Sequence, residues 1–153
     1  MAQQESARHA WAVFLTAHAV LVDAVEERLG KAGLPPFSWY DLLWALERAD
    51  DGRRRMHELA DLVVVSRSNL TRLVDRLEKA RLVRRMPSED DRRGAYAEIT
   101  AEGRKLRRRM WPIYAVAIDE LFGAHLTKAE AESVGRALRK VLAAARGENL
   151  AAE

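Results

Sequence analysis

A chain of 153 residues without cysteine is long enough for one domain with a sizeable core, and it excludes disulfides, thiolate metal sites and thiol redox sensing. Its four histidines (His9, His18, His57 and His125) are too scattered for a zinc pattern. No apolar run is long enough to span a bilayer and the N-terminus lacks the layout of a signal peptide, so the expectation is a soluble, cytoplasmic protein with neither metal nor cofactor.

The net charge of +3 is concentrated in one place. Nine cations and five anions lie between Ser66 and Arg93, so the rest of the chain is slightly acidic. A local basic stretch is what a nucleic-acid surface leaves in a sequence; the competing reading is a solvated arginine-rich helix face.

In chain order, Trp11, Phe14, Leu15, His18, Val22, Val25 and Leu29 recur at helical spacing and predict a first helix over Ser6 to Leu29. Lys31-Ala32-Gly33 then supplies a cation for the negative helix end and a candidate left-handed cap. Ser38 is placed to cap a second helix, with Asp41 three residues on in a capping-box arrangement. Leu42, Leu43 and Leu46 form its core face, and Trp39, Tyr40 and Trp44 are dense around it. Asp50-Asp51-Gly52 signals a turn, and Arg53-Arg54-Arg55 a short basic connection, extended at most. Met56 to Val63 reads as a short third helix, Val64 and Val65 as a turn, and Ser66 as the N-cap of a fourth helix.

That fourth helix has Leu70, Leu73, Val74 and Leu77 on one face. The other face carries Ser66, Arg67, Ser68, Asn69, Thr71, Arg72, Asp75 and Arg76, a mixture of guanidinium and short hydrogen-bonding groups. Such a face suits phosphate contact through arginine and base-edge contact through Arg, Asn, Ser and Thr. Short helix, tight turn and polar-faced helix make a helix-turn-helix. Leu82 to Met86 reads as a strand broken by Pro87, Ser88 to Gly94 as a charged turn, and Ala95 to Ile99 as the return strand. One hairpin is too little sheet to stand alone and must pack on the helices as a wing. Thr100 caps a fifth helix with a stripe at Leu106, Met110, Ile113, Ala117 and Leu121. Thr127 and Glu130 box the start of a sixth, whose apolar face holds Val134, Leu138, Val141, Leu142 and Ala145.

The expected fold is therefore mainly α with a small β-hairpin. A winged helix-turn-helix lobe spans about residues 34–100, and helices over about 6–33 and 101–146 form a dimerisation region from both chain ends. The alternative for those terminal helices is a cap over a monomer. Enzymatic chemistry is not expected: no nucleophile–base pairing, metal spacing or phosphate loop is present, and His57 with Asp61 at i, i+4 reads as structural.

Placed in this order, the segments resemble the MarR (multiple antibiotic resistance regulator) family of transcription factors over nearly the whole chain. The most specific stretch is Asp91-Arg92-Arg93-Gly94 running on to Ile99-Thr100, which matches the family's wing signature; Ser66 to Arg85 resembles its recognition helix and first wing strand. Similar proteins usually have glycine where this chain has Arg81; the expectation is that the helix ends differently here, the alternative being that a cation is wanted near DNA.

The resemblance implies a homodimeric repressor of nearby genes that sets two recognition helices in successive major grooves of a pseudo-palindromic, double-stranded operator, with half-site centres roughly 10 bp apart. Ser68, Asn69 and Arg72 are then assigned to base edges, and Arg67 and Arg76 to phosphate. Arg92 or Arg93 enters the minor groove, and Asp91 holds a wing arginine in place. The family's effector pocket lies between the DNA-binding lobe and the dimerisation helices. Trp11, His18, Tyr40, Trp44, Trp111 and Tyr114 are the candidates to line it, for a flat aromatic or anionic ligand; plain core packing is the other reading of each. The alternatives for the whole protein are a winged-helix protein-interaction module and a DNA-binding module without effector sensing.

Overall fold

The computed structural model describes residues 1–87 and 94–147. Six α-helices and three strands follow one another as α1 (Ala2–Lys31), α2 (Phe37–Glu47), β1 (Arg53–Arg55), α3 (Met56–Leu62), α4 (Arg67–Lys79), β2 (Val83–Pro87), β3 (Ala95–Ile99), α5 (Ala101–Leu121) and α6 (Lys128–Arg146). The chain forms two compact units, one from Met1 to Ala115 and one beginning at Val116.

The core of the first unit is built where the apolar stripes meet. Leu42, Leu43 and Leu46 of α2, Leu59 of α3, Leu70, Leu73, Val74 and Leu77 of α4, Val83 of β2, and Ala97 and Ile99 of β3 are buried together. The four α4 leucine and valine positions are the i, i+3, i+4, i+7 set that defines one helical face. In β3, alternation puts Ala97 and Ile99 inward and leaves Tyr96 and Glu98 half-buried on the other side.

Where the sheet is concerned, the hairpin expected from the sequence is part of a three-stranded antiparallel sheet of order β1-β3-β2. The basic connection Arg53-Arg54-Arg55 is its third strand, with Arg53 opposite Glu98 and Arg55 opposite Tyr96. Pro87 does not break β2 but closes it, opposite Ala95; β2 is an edge strand, where a proline is tolerated.

α1 begins at Ala2, four residues before the expected Ser6, and two expected helix caps differ. Ser38 lies inside α2, whose N-cap position is Pro36 without a side-chain cap. The Phe37 N–H is instead held by both carboxylate oxygens of Glu26, at 3.0 and 3.1 Å, from the neighbouring α1. Asp41, freed from any capping box, serves elsewhere. Ser66 does occupy the N-cap position of α4 but its side chain caps nothing; its hydroxyl meets that of Ser68 at 3.1 Å. Thr100 and Thr127 cap as expected, the first through Gly103 N–H at 3.0 Å and the second in a complete box with Glu130.

The end of α4 corrects the expectation for Arg81. The helix does not end differently: Arg81 takes φ +62°, the left-handed geometry that glycine usually fills. Its N–H donates to Glu78 O and that of Leu82 to Leu77 O, each at 2.9 Å, the paired bonds of a Schellman cap. Gly33 ends α1 in the same way, at φ +68°. An arginine held in this geometry is strained by about 1 kcal/mol, so Arg81→Gly should raise stability by roughly 0.5–1 kcal/mol, measured as a shift in the urea midpoint at constant slope.

Apolar surface remains exposed at both ends of the chain. On α1, Trp11, Phe14 and Leu15 are exposed, and on α6 Val134, Leu138, Val141 and Leu142 are too. They belong to the stripes that the sequence assigned to a second copy, although Val25 and Leu29 of the α1 stripe are buried.

Candidate nucleic-acid interface

α3, the Val63-Val64-Val65 turn and α4 form the reading unit. Burial of Leu70, Leu73, Val74 and Leu77 turns the opposite face of α4 outward, and Ser66, Arg67, Ser68, Asn69, Thr71, Arg72 and Arg76 are all exposed on it. The seven candidates placed there by sequence are thus brought onto one surface.

The arginines of this surface are not equivalent. Arg67 pairs with Asp61 of α3 at 2.5 Å. Both partners are more than half exposed, so the pair contributes little stability and yields readily to a phosphate. Arg72 and Arg76 have no hydrogen-bond or ion-pair partner among the described residues and face water as free guanidinium groups. Arg84 is tied across the sheet to Glu98 at 2.8 Å. Arg85 is engaged more firmly, by Asp75 at 2.6 Å and Glu78 at 2.9 Å, and it fastens β2 to α4. Asp91, Arg92 and Arg93, the wing-tip candidates, lie outside the described residues.

Sequence reasoning missed the root of the wing. The guanidinium groups of Arg53, at 5.2 Å, and Arg55, at 4.9 Å, both lie over the Tyr96 ring, the spacing of cation–π contact. Alternate residues of a strand share a face, so the signal available in the sequence was the R-x-R spacing, had Arg53-Arg54-Arg55 been read as a strand.

The aromatic candidates separate into three groups. Tyr40, Trp111 and Tyr114 do come together, with Tyr40–Tyr114 ring centroids 4.9 Å apart and Tyr40–Trp111 stacked at 6.2 Å. Phe37, not anticipated, completes the cluster at 4.9 Å from Tyr114. Burial raises the hydroxyl pKa of both tyrosines. Trp44 belongs to a different arrangement, with Arg107 and Arg48 over its ring at 5.1 and 5.9 Å. Trp11 and His18 are exposed on α1 and make their ring contacts with Phe14. Near the start of α5, Arg107 bonds Glu47 directly and Arg104 and Arg108 approach it at 3.6 and 4.0 Å, whereas Lys105 pairs with Glu102 at 2.7 Å.

Asp41 bonds the turn of the reading unit, its Oδ2 accepting the Val64 N–H at 2.7 Å. Burial holds its carboxyl above the ordinary carboxylate range, against the opposing pull of that N–H. A folded-state pKa above the unfolded one means that ionised Asp41 costs stability at neutral pH. That cost is relieved as pH falls through the raised value toward the ordinary 3.8. Asp41→Asn should therefore melt higher than the parent at pH 7, with the advantage shrinking as the pH of the thermal scan approaches 4.

Helix, turn, outward-facing helix and three-stranded sheet together make a winged helix-turn-helix of the kind found in transcription regulators. The sequence profile of the MarR family matches residues 33–94. Sco3205, a MarR family transcriptional regulator from Streptomyces coelicolor whose structure was solved in complex with DNA, is 32% identical, covers 90% of this chain and 86% of its own, and superposes with a TM-score of 0.80. AbsC, another MarR family regulator from that organism, is 30% identical over 92% of this chain and 95% of its own, again with a TM-score of 0.80. The regulator MhqR of Bacillus subtilis (strain 168) is 29% identical over 131 residues, 84% of this chain and 86% of its own length. The chain belongs to the MarR family of transcriptional regulators. None of its described helices is long and apolar enough to cross a membrane.

Proposed function

We propose that this regulator is a cytoplasmic homodimeric repressor that sets α4 into the major groove of a pseudo-palindromic double-stranded operator. The observation that carries this reading is the outward face of α4: three short polar side chains at its N-terminal end, Ser68, Asn69 and Thr71, beside two guanidinium groups, Arg72 and Arg76, that nothing among the described residues neutralises. Short polar groups and arginine are the residue types that meet base edges and phosphates. The lobe over about residues 34–100 would make the contacts. The exposed apolar stripes of α1 and α6 would be covered by the second copy, within dimerisation segments over about 6–33 and 101–146. Its role is regulatory, not catalytic. That Sco3205 was crystallised with DNA supports the same reading.

The test combines light scattering with DNA binding. A dimer that binds the intergenic DNA beside its own gene, with affinity falling steeply and linearly in log salt, is the expected result. A monomer, or binding indifferent to salt, would sink it.

For the effector, the Phe37–Tyr40–Trp111–Tyr114 cluster supports a small aromatic or anionic ligand that releases DNA by favouring one arrangement of the lobes. A second reading, regulation without an effector, is supported by the close packing of those rings, 4.9 Å between two of the pairs. Isothermal titration with products of the adjacent genes separates the two.

A further inference from the structure

Asp41 is on α2, outside the face that α4 presents, yet its carboxylate reaches the middle residue of the helix-turn-helix turn. The turn is three valines long and contains no glycine. Val63 is buried at its start, while the Val64 side chain is 60% exposed. The bond from Val64 N–H to Asp41 Oδ2, at 2.7 Å, ties the backbone of this turn to α2 by a side chain. A carboxylate partly withdrawn from water is costly to keep, and is retained where it satisfies a donor.

Among the described residues, no cation is hydrogen-bonded or ion-paired to the carboxylate. Asp41 lines a small cavity of about 100 Å³ with Trp44, Ala45, Arg48, Arg54 and Leu62. Arg54 donates to the Ala45 carbonyl at 2.7 Å, and Arg48 lies over Trp44. The Asp41 charge adds to the rise that burial gives the hydroxyl pKa of Tyr40 and Tyr114. The backbone of the turn is left as its hydrogen-bonded partner.

We propose that Asp41 is a positioning residue for DNA recognition: its carboxylate fixes the turn between α3 and α4, and so the angle at which α4 enters the groove. Direct base contacts demand placement to within about half an ångström, whereas phosphate contacts are forgiving. Loss of the clamp therefore lowers discrimination more than it lowers binding in general. This rests on the reading of α4 as a DNA-recognition helix.

Asp41→Asn and Asp41→Ala in the full-length protein test it. Asparagine keeps an acceptor oxygen in place; alanine removes it. The expected result is that the asparagine variant keeps operator affinity within about threefold. The alanine variant should lose about tenfold on the operator, the order of one hydrogen bond to a charged group, and little on scrambled DNA, with its oligomeric state unchanged. Without DNA, hydrogen exchange at the Val64 amide should be slow in the parent and the asparagine variant and fast in the alanine variant. An alanine variant with the parent's ratio of operator to scrambled affinity overturns the proposal. So does an asparagine variant as weak as the alanine one, or a Val64 amide that exchanges equally in all three. A parent protein that binds no DNA defeats the functional reading itself, and that is seen before any variant is made.

Discussion

Removing Arg72 should cost the protein its operator while leaving its affinity for unrelated DNA nearly intact. Removing Arg76 should weaken both alike. The two differ in place, not in kind. Both are exposed and without a partner among the described residues, but Arg72 is one turn nearer the N-terminal end of α4 (Arg67–Lys79), the end that approaches base edges in a helix-turn-helix. A base-reading arginine is worth about 1–3 kcal/mol of discrimination, so Arg72→Ala should lose roughly 10- to 100-fold on the operator alone. Arg76→Ala takes one cation away from the phosphates and should lower the slope of log affinity against log salt by about 1 on every sequence. Fluorescence anisotropy with operator and scrambled duplexes at several salt concentrations separates the two outcomes. Equal losses on both duplexes for Arg72→Ala would remove it from the base-reading set. Arg85→Ala, by contrast, breaks a tie to Asp75 and Glu78 inside the fold and should register mainly as reduced stability.

Among the glycines, Gly103 should tolerate an added methyl group (Gly103→Ala) least, because its closest contact is with fixed backbone. Gly103 lies in the first turn of α5, where a Cβ would stand 2.3 Å from the Leu82 carbonyl oxygen, 2.9 Å from Ile99 and 3.1 Å from Leu43. The carbonyl cannot step aside, because it accepts the Thr100 N–H at 3.0 Å, and Leu43 and Ile99 belong to the buried core. Overpacking against fixed backbone costs about 3 kcal/mol or more, a fall of roughly 10 °C in melting temperature for a chain of this size. Gly135, in α6, is the control: its nearest neighbour would be the flexible end of Arg139 at 3.4 Å. There alanine should stabilise by up to about 1 kcal/mol through helix propensity alone. Thermal scans of the two variants should move in opposite directions.

Much of this was legible in the residues because periodicity is local. The apolar positions of α4 select its buried face without reference to the rest of the chain, and the exposed polar face follows. Thr127 with Glu130 announces a helix start for the same reason. What was not legible depended on partners distant in sequence. Nothing near Phe37 indicates that Glu26, eleven residues back, caps α2. Arg53 to Arg55 are too few to show a strand period, so only pairing with β3 reveals them. At Arg81 local preference pointed away from a left-handed conformation, and the Schellman bonds with burial of Leu82 overrode it. Which arginines are free could not be read from composition either: Arg67 and Arg72 look alike in sequence, and only the position of Asp61 distinguishes them. The wing-tip residues Asp91, Arg92 and Arg93 keep their assignment from resemblance.

The Glu26 cap bears on how the molecule comes together. The first turn of α2 borrows its acceptor from α1, so the Phe37 amide exchanges water for the Glu26 carboxylate when the C-terminal turns of α1, around Val25 and Leu29, dock. Docking therefore favours completion of that turn, and the Phe37 amide is its reporter. A shear or fraying that lifts α1 away would take the Glu26 carboxylate from the Phe37 amide and loosen the first turn of the helix from which Asp41 grips the turn.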